Sequence, residues 1–259
     1  MSQEDWYNER STGGTFPALF IPPWFKLAIV VIDWLHCVDL GVLADLLGNV
    51  LFELFELAQE QPGTTIAKRT SALFEKIQEW YRATKPPSIL DNLTPEMIRA
   101  AADKPPKLRA KGGEARYLLP IVYEMTAHWR DLNLDDVHKN TAGSAVKLLF
   151  ELQLCVATDP YDHDRASSLC RRCCVLYCSL EQDALRSGDA ARWRVKPKLH
   201  MLQEMIEYMP GAGSPKNYWC YVDESWVGFV SKIAHRRGGR CNASVAADKL
   251  LSGYRAGLA

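Results

Sequence analysis

Neither sign of charge is in excess. In 259 residues, 31 Lys+Arg face 31 Asp+Glu, so the whole chain carries no field that would favour nucleic acid or a membrane surface. No uncharged apolar run approaches the roughly 20 residues that span a bilayer; the stretch Leu27–Ile32 is stopped by Asp33. The opening MSQEDWYNERSTGG is too polar for a secretory leader. Eight cysteines without such a leader are expected to stay reduced in an intracellular compartment. There is no Gly-rich phosphate loop, no Gly-x-Ser-x-Gly and no His-Glu-x-x-His. Internal repeats and low-complexity tracts are also missing. What remains has the balance of an ordinary soluble globular protein, 47% hydrophobic and 24% charged, and is long enough for one large domain or two small ones.

Strand signals are scarce. One stretch, Lys26–Ile32, is apolar and β-branched, preceded by Pro22-Pro23 and ended by Asp33. Helical spacing follows over Val42–Gln59, with Leu43, Leu46, Leu47, Val50, Leu51, Leu54 and Phe55 on one face. Pro62-Gly63 ends that helix and Thr64 can cap the next, whose face is Ile66, Leu73, Ile77, Trp80 and Tyr81. KPPSILDN breaks the pattern, and Thr94-Pro95 reads as an N-cap with proline at the first helical position. Asp103–Arg116 reads as an exposed basic loop. Further helices are expected at Leu119–Arg130, Asn140–Thr158, Asp164–Ser187, Lys198–Tyr208, Tyr218–His235 and Ala243–Tyr254. A lone strand cannot satisfy its ladder groups. Either its partners lie outside this sequence or the stretch is part of a buried helix.

Two stretches carry further chemistry. In WCYVDESWVGFVSKIAHRRGG, a wheel of 3.6 residues per turn puts Trp219, Val222, Trp226, Phe229, Val230 and Ile233 on one face. Glu224 falls on the other, beside Gly228, Ser231 and His235. Glycine inside a helix costs about 1 kcal/mol relative to alanine, so Gly228 suggests close approach of another backbone; a merely solvated glutamate is the plainer reading of Glu224. In LCRRCCVLYC, Cys170, Cys173, Cys174 and Cys178 lie along one side of a helix. Cys-x₂-Cys suggests zinc, with His163 the nearest added ligand, but a structural site normally brings its second ligand pair from another segment. Interleaved Leu169, Leu176, Tyr177 and Leu180 favour buried thiols packing as small hydrophobes.

Taken together, these motifs resemble the catalytic half of a eukaryotic cut-and-paste DDE transposase of the CACTA (En/Spm) type. Its second acid sits in an Asp-x-x-His segment ending in Leu-Gly, matched by Asp33, His36, Leu40 and Gly41. The family's Pro-Lys-Leu-His is matched by Pro197-Lys198-Leu199-His200, and the aromatic segment bearing the last acid by Trp219, Tyr221 and Glu224, followed by Phe229, Lys232, Ile233 and Ala234. The resemblance is densest over Phe25–Leu51 and Arg194–Arg237. It implies a mainly α chain, with a large helical insertion attached to a partial ribonuclease H-like α/β core. Its divisions would be 1–40 as partial core, 41–190 as insertion and 191–259 as a basic C-terminal region with the Glu224 helix.

The resemblance also implies the chemistry. Such enzymes cleave and join DNA with paired hard cations, Mg²⁺ held by carboxylates on rigid elements. Asp33 and Glu224, 191 positions apart, would be catalytic metal ligands. His36 would orient a carboxylate, contact a phosphate, or simply pack. Only 32 residues precede Asp33, and none reads as three strands with an acid; Asp5 lies in a polar, strand-poor stretch. The chain is therefore expected to be the C-terminal portion of a transposase, incomplete and inactive alone, with Mg²⁺ bound only by the complete enzyme. From Arg192 onward eleven Lys/Arg meet five Asp/Glu, a local charge of +6. Arg192, Arg194, Lys196, Lys198, His200, Lys232, Arg236 and Arg237 are thus candidate DNA-backbone contacts. Partners would be transposon ends and target DNA, with no membrane and with self-association left open; the site of action would be nuclear or otherwise intracellular. The alternative is a non-enzymatic helical interaction protein or transposon remnant.

Overall fold

The computed structural model describes residues 30–56, 65–131, 136–222, 224–225, 227–228, 231 and 252. Two compact units divide the chain, Met1–Tyr218 and Trp219–Ala259. Among the described residues the protein is mainly helical and contains no strand.

Asp33 begins a helix instead of ending a strand. Val30–Asp33 have no regular structure, and the rest of the expected strand, 26–29, lies outside the described residues. The Asp33 carboxylate accepts the backbone N–H of His36 at 2.8 Å, and the Asp33 carbonyl accepts that of Cys37 at 3.0 Å. This is an N-cap: the side chain satisfies an amide that has no carbonyl one turn upstream. Trp34 is already helical. A π-helical segment, Leu35–Val42, then runs into helix α1, Leu43–Glu56. All seven apolar residues assigned to the α1 face are buried, but so are Ala44, Asn49 and Phe52 on its other sides. Continuous apolarity of this kind cannot be divided into strand and helix by period alone. Leu35–Phe55 is also the one helical run among the described residues with the length and hydropathy of a membrane span, and 89% of its most apolar window is buried inside the protein.

The remaining helices of the first unit are α2 (Ile66–Thr84), α3 (Pro95–Ile98), α4 (Gly112–Met125), α5 (Val137–Ala157), α6 (His163–Arg186) and α7 (Pro197–Gln203). A 3₁₀ turn, Ala127–Arg130, follows α4, and π-helical turns, Glu204–Tyr208, extend α7. Helices α2, α3, α4 and α5 all contact α1, α5 pairs extensively with α6, and α7 lies against the π-helical segment. Short polar side chains start most of these helices as caps. Thr65, Asp136 and Asp162 accept from the amides of Lys68, Lys139 and Arg165 at 3.2, 3.0 and 2.9 Å. Thr94 caps α3 as its sequence implies, whereas Thr65 takes the role expected of Thr64, which lies outside the described residues. On α2, Leu73, Ile77 and Tyr81 are buried, but Ile66 is exposed because it occupies the first turn, beyond the reach of the core.

The segment expected to be an exposed basic loop is exposed at Asp103, Lys104, Arg109 and Lys111, but the rest of it is built into the core. Leu108, Glu114, Ala115 and Arg116 are buried, and α4 starts at Gly112, seven residues before the expected helix. Gly48 makes this possible. A Cβ there would lie 2.4 Å from Lys107 Cα and 2.7 Å from Leu108 N, and the Leu108 amide donates to the Ala44 carbonyl at 2.8 Å. An extended backbone therefore crosses α1 directly over its glycine. Gly48→Ala should destabilise the protein by more than about 1 kcal/mol, since overpacking costs about 1–3 kcal/mol and outweighs the gain in helix propensity. Gly228→Ala should be neutral or stabilising, because a Cβ at Gly228 meets nothing within 4 Å among the described residues. Chemical denaturation of both variants measures the contrast, and equal effects would contradict this packing.

The boundary between the two compact units falls after Tyr218. Asp33 is continuous with the helix that follows it, and residues 191–218 belong with the first unit. In the second unit the chain is helical from Tyr221. The Glu224 amide donates to the Cys220 carbonyl at 2.9 Å, and the rings of Trp219 and Tyr221 meet edge to face at 5.5 Å. Val222, placed on the apolar face, is 69% exposed. The close approach expected at Gly228 is not found among the described residues. Trp226, Phe229, Val230, Ile233 and, apart from Ser252, the expected final helix lie outside them.

Candidate functional site

The two longest motifs of the first unit, 161 positions apart at their contact, pack against each other. The Cys37 thiol donates to the Lys198 carbonyl at 3.4 Å, and Lys198 Nζ donates to the His36 carbonyl at 2.5 Å. Gly41 leaves room for the lysine stem: a Cβ there would sit 2.4 Å from Lys198 Cδ. Asp33-x-x-His36 with Leu40-Gly41 thus forms one wall, and Pro197-Lys198-Leu199-His200 the other. Burial pushes the Cys37 thiol up to about 12, so it serves here as a neutral donor.

Basic side chains converge on the same helix start. Lys107 Nζ donates to the Leu40 carbonyl at 3.0 Å, and Lys196 Nζ pairs with Asp45 at 2.6 Å. A π-helical segment departs from the regular α ladder, and lysines meet two of its carbonyls, those of His36 and Leu40. Burial lowers the Lys107 pKa, opposed by the nearby Asp45 carboxylate. Arg194 is exposed and lines a narrow crevice with Asp45, Tyr177, Lys196 and Lys198.

Each candidate residue among those described has a definite place. Asp33 is partly exposed, its carboxylate 2.8 Å from His36 Nδ1, and His36 is itself exposed. His200 is exposed and lies 3.3 Å from Glu204. Arg192 faces inward, where it is bound by the buried Glu53 and lies over the Phe52 ring at 5.4 Å. Glu224 is exposed on the helix of the second unit. Lys232, Arg236 and Arg237 lie outside the described residues. The first unit therefore supplies one carboxylate of the expected pair, already capping a helix and adjoining an imidazole. Magnesium asks for several oxygen ligands. These donors do not by themselves fit it, and no metal-dependent step follows from them.

Sequence reasoning passed over a second polar cluster, built on Glu53. Its Oε1 accepts from His138 Nε2 at 2.8 Å, from Trp193 Nε1 at 2.9 Å and from the Arg192 guanidinium. Asn49 Oδ1, one turn earlier on α1, accepts the Trp193 amide at 2.9 Å. Together they hold Trp193 in a left-handed conformation, φ 52°. The usable signal was Asn49 and Glu53 at i and i+4 inside an apolar helix, since buried polar groups require partners.

The His138 pKa is raised, chiefly by the Glu53 hydrogen bond, with burial and Arg192 opposing and Asp136 adding a smaller push upward. A group whose folded pKa exceeds its unfolded value stabilises the protein below that unfolded value, about 6.5, and loses the contribution as pH rises through the folded pKa. The stability lost in His138→Gln should therefore be largest below about pH 6.5 and shrink above it. Melting curves of both proteins across pH measure this, and a difference that grows with pH would contradict the pairing.

Comparison of the chain with known protein families, with curated proteins and with solved structures found no match.

Proposed function

We propose that this chain is part of the catalytic region of a CACTA-type DDE transposase, acting on transposon ends and target DNA in the nucleus. The observation that carries the reading is the packing of the Asp33–Gly41 segment on the Pro197–His200 helix. Two stretches singled out by one resemblance, far apart in sequence, lie against each other, which supports the reading. The reading includes a partial ribonuclease H-like core around Asp33, with Asp33 and Glu224 as two of three metal-binding carboxylates and Mg²⁺ bound only in the complete enzyme. Exposed Arg194 and His200 on the first unit suit a phosphate backbone.

A non-enzymatic interaction protein derived from a transposon is the second reading. What favours it is that the Asp33 carboxylate is occupied as a helix cap, while Arg192, Lys196 and Lys198 are held by Glu53, Asp45 and the His36 carbonyl.

Mg²⁺-dependent nicking of a transposon-end duplex separates the two. The 259-residue chain should give none and bind DNA only weakly, with affinity falling as salt rises. A chain extended upstream to include a strand-borne aspartate should nick. Robust nicking by the 259-residue chain, or none by any extended chain that folds, would overturn the proposal.

A further inference from the structure

Helices α5 and α6 meet along a seam that no part of the proposed function uses. The short connection 158–162 makes them antiparallel neighbours, and the Cys173 thiol on α6 reaches the Ala145 carbonyl on α5 at 3.8 Å. In that register Lys147 lies across from Arg171 and Arg172. A groove of about 510 Å³ opens there, walled by Lys147 and Glu151 from α5 and by Arg171, Arg172, Val175 and Leu176 from α6. Three cations thus share it with one carboxylate. Lys147 meets Glu151 at 3.8 Å, both substantially solvated, and Arg171 is turned to Glu207 at 2.7 Å. Arg172 is exposed and makes no ion pair among the described residues. In a chain of zero formal charge, the groove is a local positive field.

Its walls are also apolar. Val175, in the middle of α6, is 62% exposed, and Leu154, one turn beyond Glu151 on the same face of α5, is 51% exposed. Single exposed apolar side chains are ordinary. These two lie along one cationic seam, beside Leu148 and Leu176. We propose that the α5–α6 groove docks an acidic amphipathic helix of a partner protein, its carboxylates set against Arg172 and Lys147 and its apolar side chains on Val175, Leu176 and Leu154.

Shape and charge together choose this occupant. Two antiparallel helices leave between them the furrow that a third helix fills in a bundle, and a helix laid in such a groove is read through apolar anchors one turn apart. A nucleic acid would answer the cations but brings no apolar side chain to cover Val175. A wholly apolar helix would desolvate Arg172 and Lys147 without pairing them, which is costly. A segment with acids beside apolar anchors meets both demands. None of these residues belongs to the motifs behind the transposase reading, so docking here stands or falls separately.

The test pans a displayed library of random peptides, each about fifteen residues or four helical turns long, on the purified 259-residue protein. Enriched sequences should carry Asp or Glu alongside Leu, Ile or Phe at helical spacing. The best of them, as a free peptide, should bind Arg172→Glu and Val175→Glu about tenfold less tightly or worse, because each variant sets like charges face to face. Lys76→Glu, on the exposed side of α2, should bind it as the parent does. Affinity should fall as salt rises. The unaltered protein supplies a second measurement: carbodiimide coupling should join a carboxylate of the bound peptide to Lys147. No enrichment, enriched peptides without acids, binding indifferent to both groove variants, or coupling only to other lysines would each overturn the proposal. So would displacement of the peptide from Lys147 by a random-sequence DNA duplex, which would mark the groove as a nucleic-acid surface.

Discussion

Replacing Glu53 with glutamine should destabilise the protein by about 3 kcal/mol, the low end of what breaking a buried ion pair costs. Glu53 is 7% exposed and answers three donors from two parts of the chain: His138 on α5, and Arg192 and Trp193 in the turn before α7. Glutamine keeps the one oxygen that all three donors share but loses the negative charge, leaving the Arg192 guanidinium with only the more solvated Asp189, 3.9 Å away. The loss should also free the left-handed corner at Trp193. In melting experiments the shift should be roughly 6–12 °C for a unit of this size. Glu151→Gln is the control: its partner Lys147 lies 3.8 Å away and both side chains are substantially solvated, so it should cost under about 1 kcal/mol. Similar shifts for the two variants would show that the Glu53 cluster does not hold this part of the fold.

Much of the helical order was legible because caps and periods have local causes. Thr94-Pro95, the starts of α5 and α6 within three residues, and the buried face of α1 follow from side chains that act within one turn. Burial of Cys170 and Cys173 and partial burial of Cys174 followed from the leucines between them, whereas Cys178, expected to pack with them, is exposed. No strand end precedes Asp33 among the described residues, for the opposite reason. An apolar run ended by aspartate fits a strand followed by an acid, and it fits equally an N-cap before a helix buried on all sides. Only tertiary packing separates these. The buried part of the basic loop was hidden likewise: nothing local to Lys107 or Leu108 reveals that Gly48, some sixty residues earlier, leaves a groove for their backbone. At the candidate site the residues were legible and their commitments were not. Arg192 and Lys196 looked like surface cations, yet buried carboxylates on α1 hold both.

The second large effect concerns catalysis in a chain extended upstream to carry the first acid. There Glu224→Gln should reduce Mg²⁺-dependent nicking to background. Two metal ions near a phosphate need every carboxylate the site offers, and a neutral amide is a poor substitute for one. Glu224 is exposed, so the fold should tolerate the change, and DNA binding, carried by cations, should persist. Full nicking by this variant would remove Glu224 from the site.

Asp33 allows the most direct measurement, because its structural and catalytic roles separate in one substitution. Asparagine caps a helix about as well as aspartate, so Asp33→Asn should keep the bond to the His36 amide and the thermal stability of the parent. It removes the anionic charge that a hard cation requires. The measurement is nicking of a transposon-end duplex by the extended Asp33→Asn protein, paired with its melting temperature. Unchanged melting with no nicking is the expected result. Unchanged melting with nicking at the parent rate would mean that Asp33 is a helix cap and nothing more.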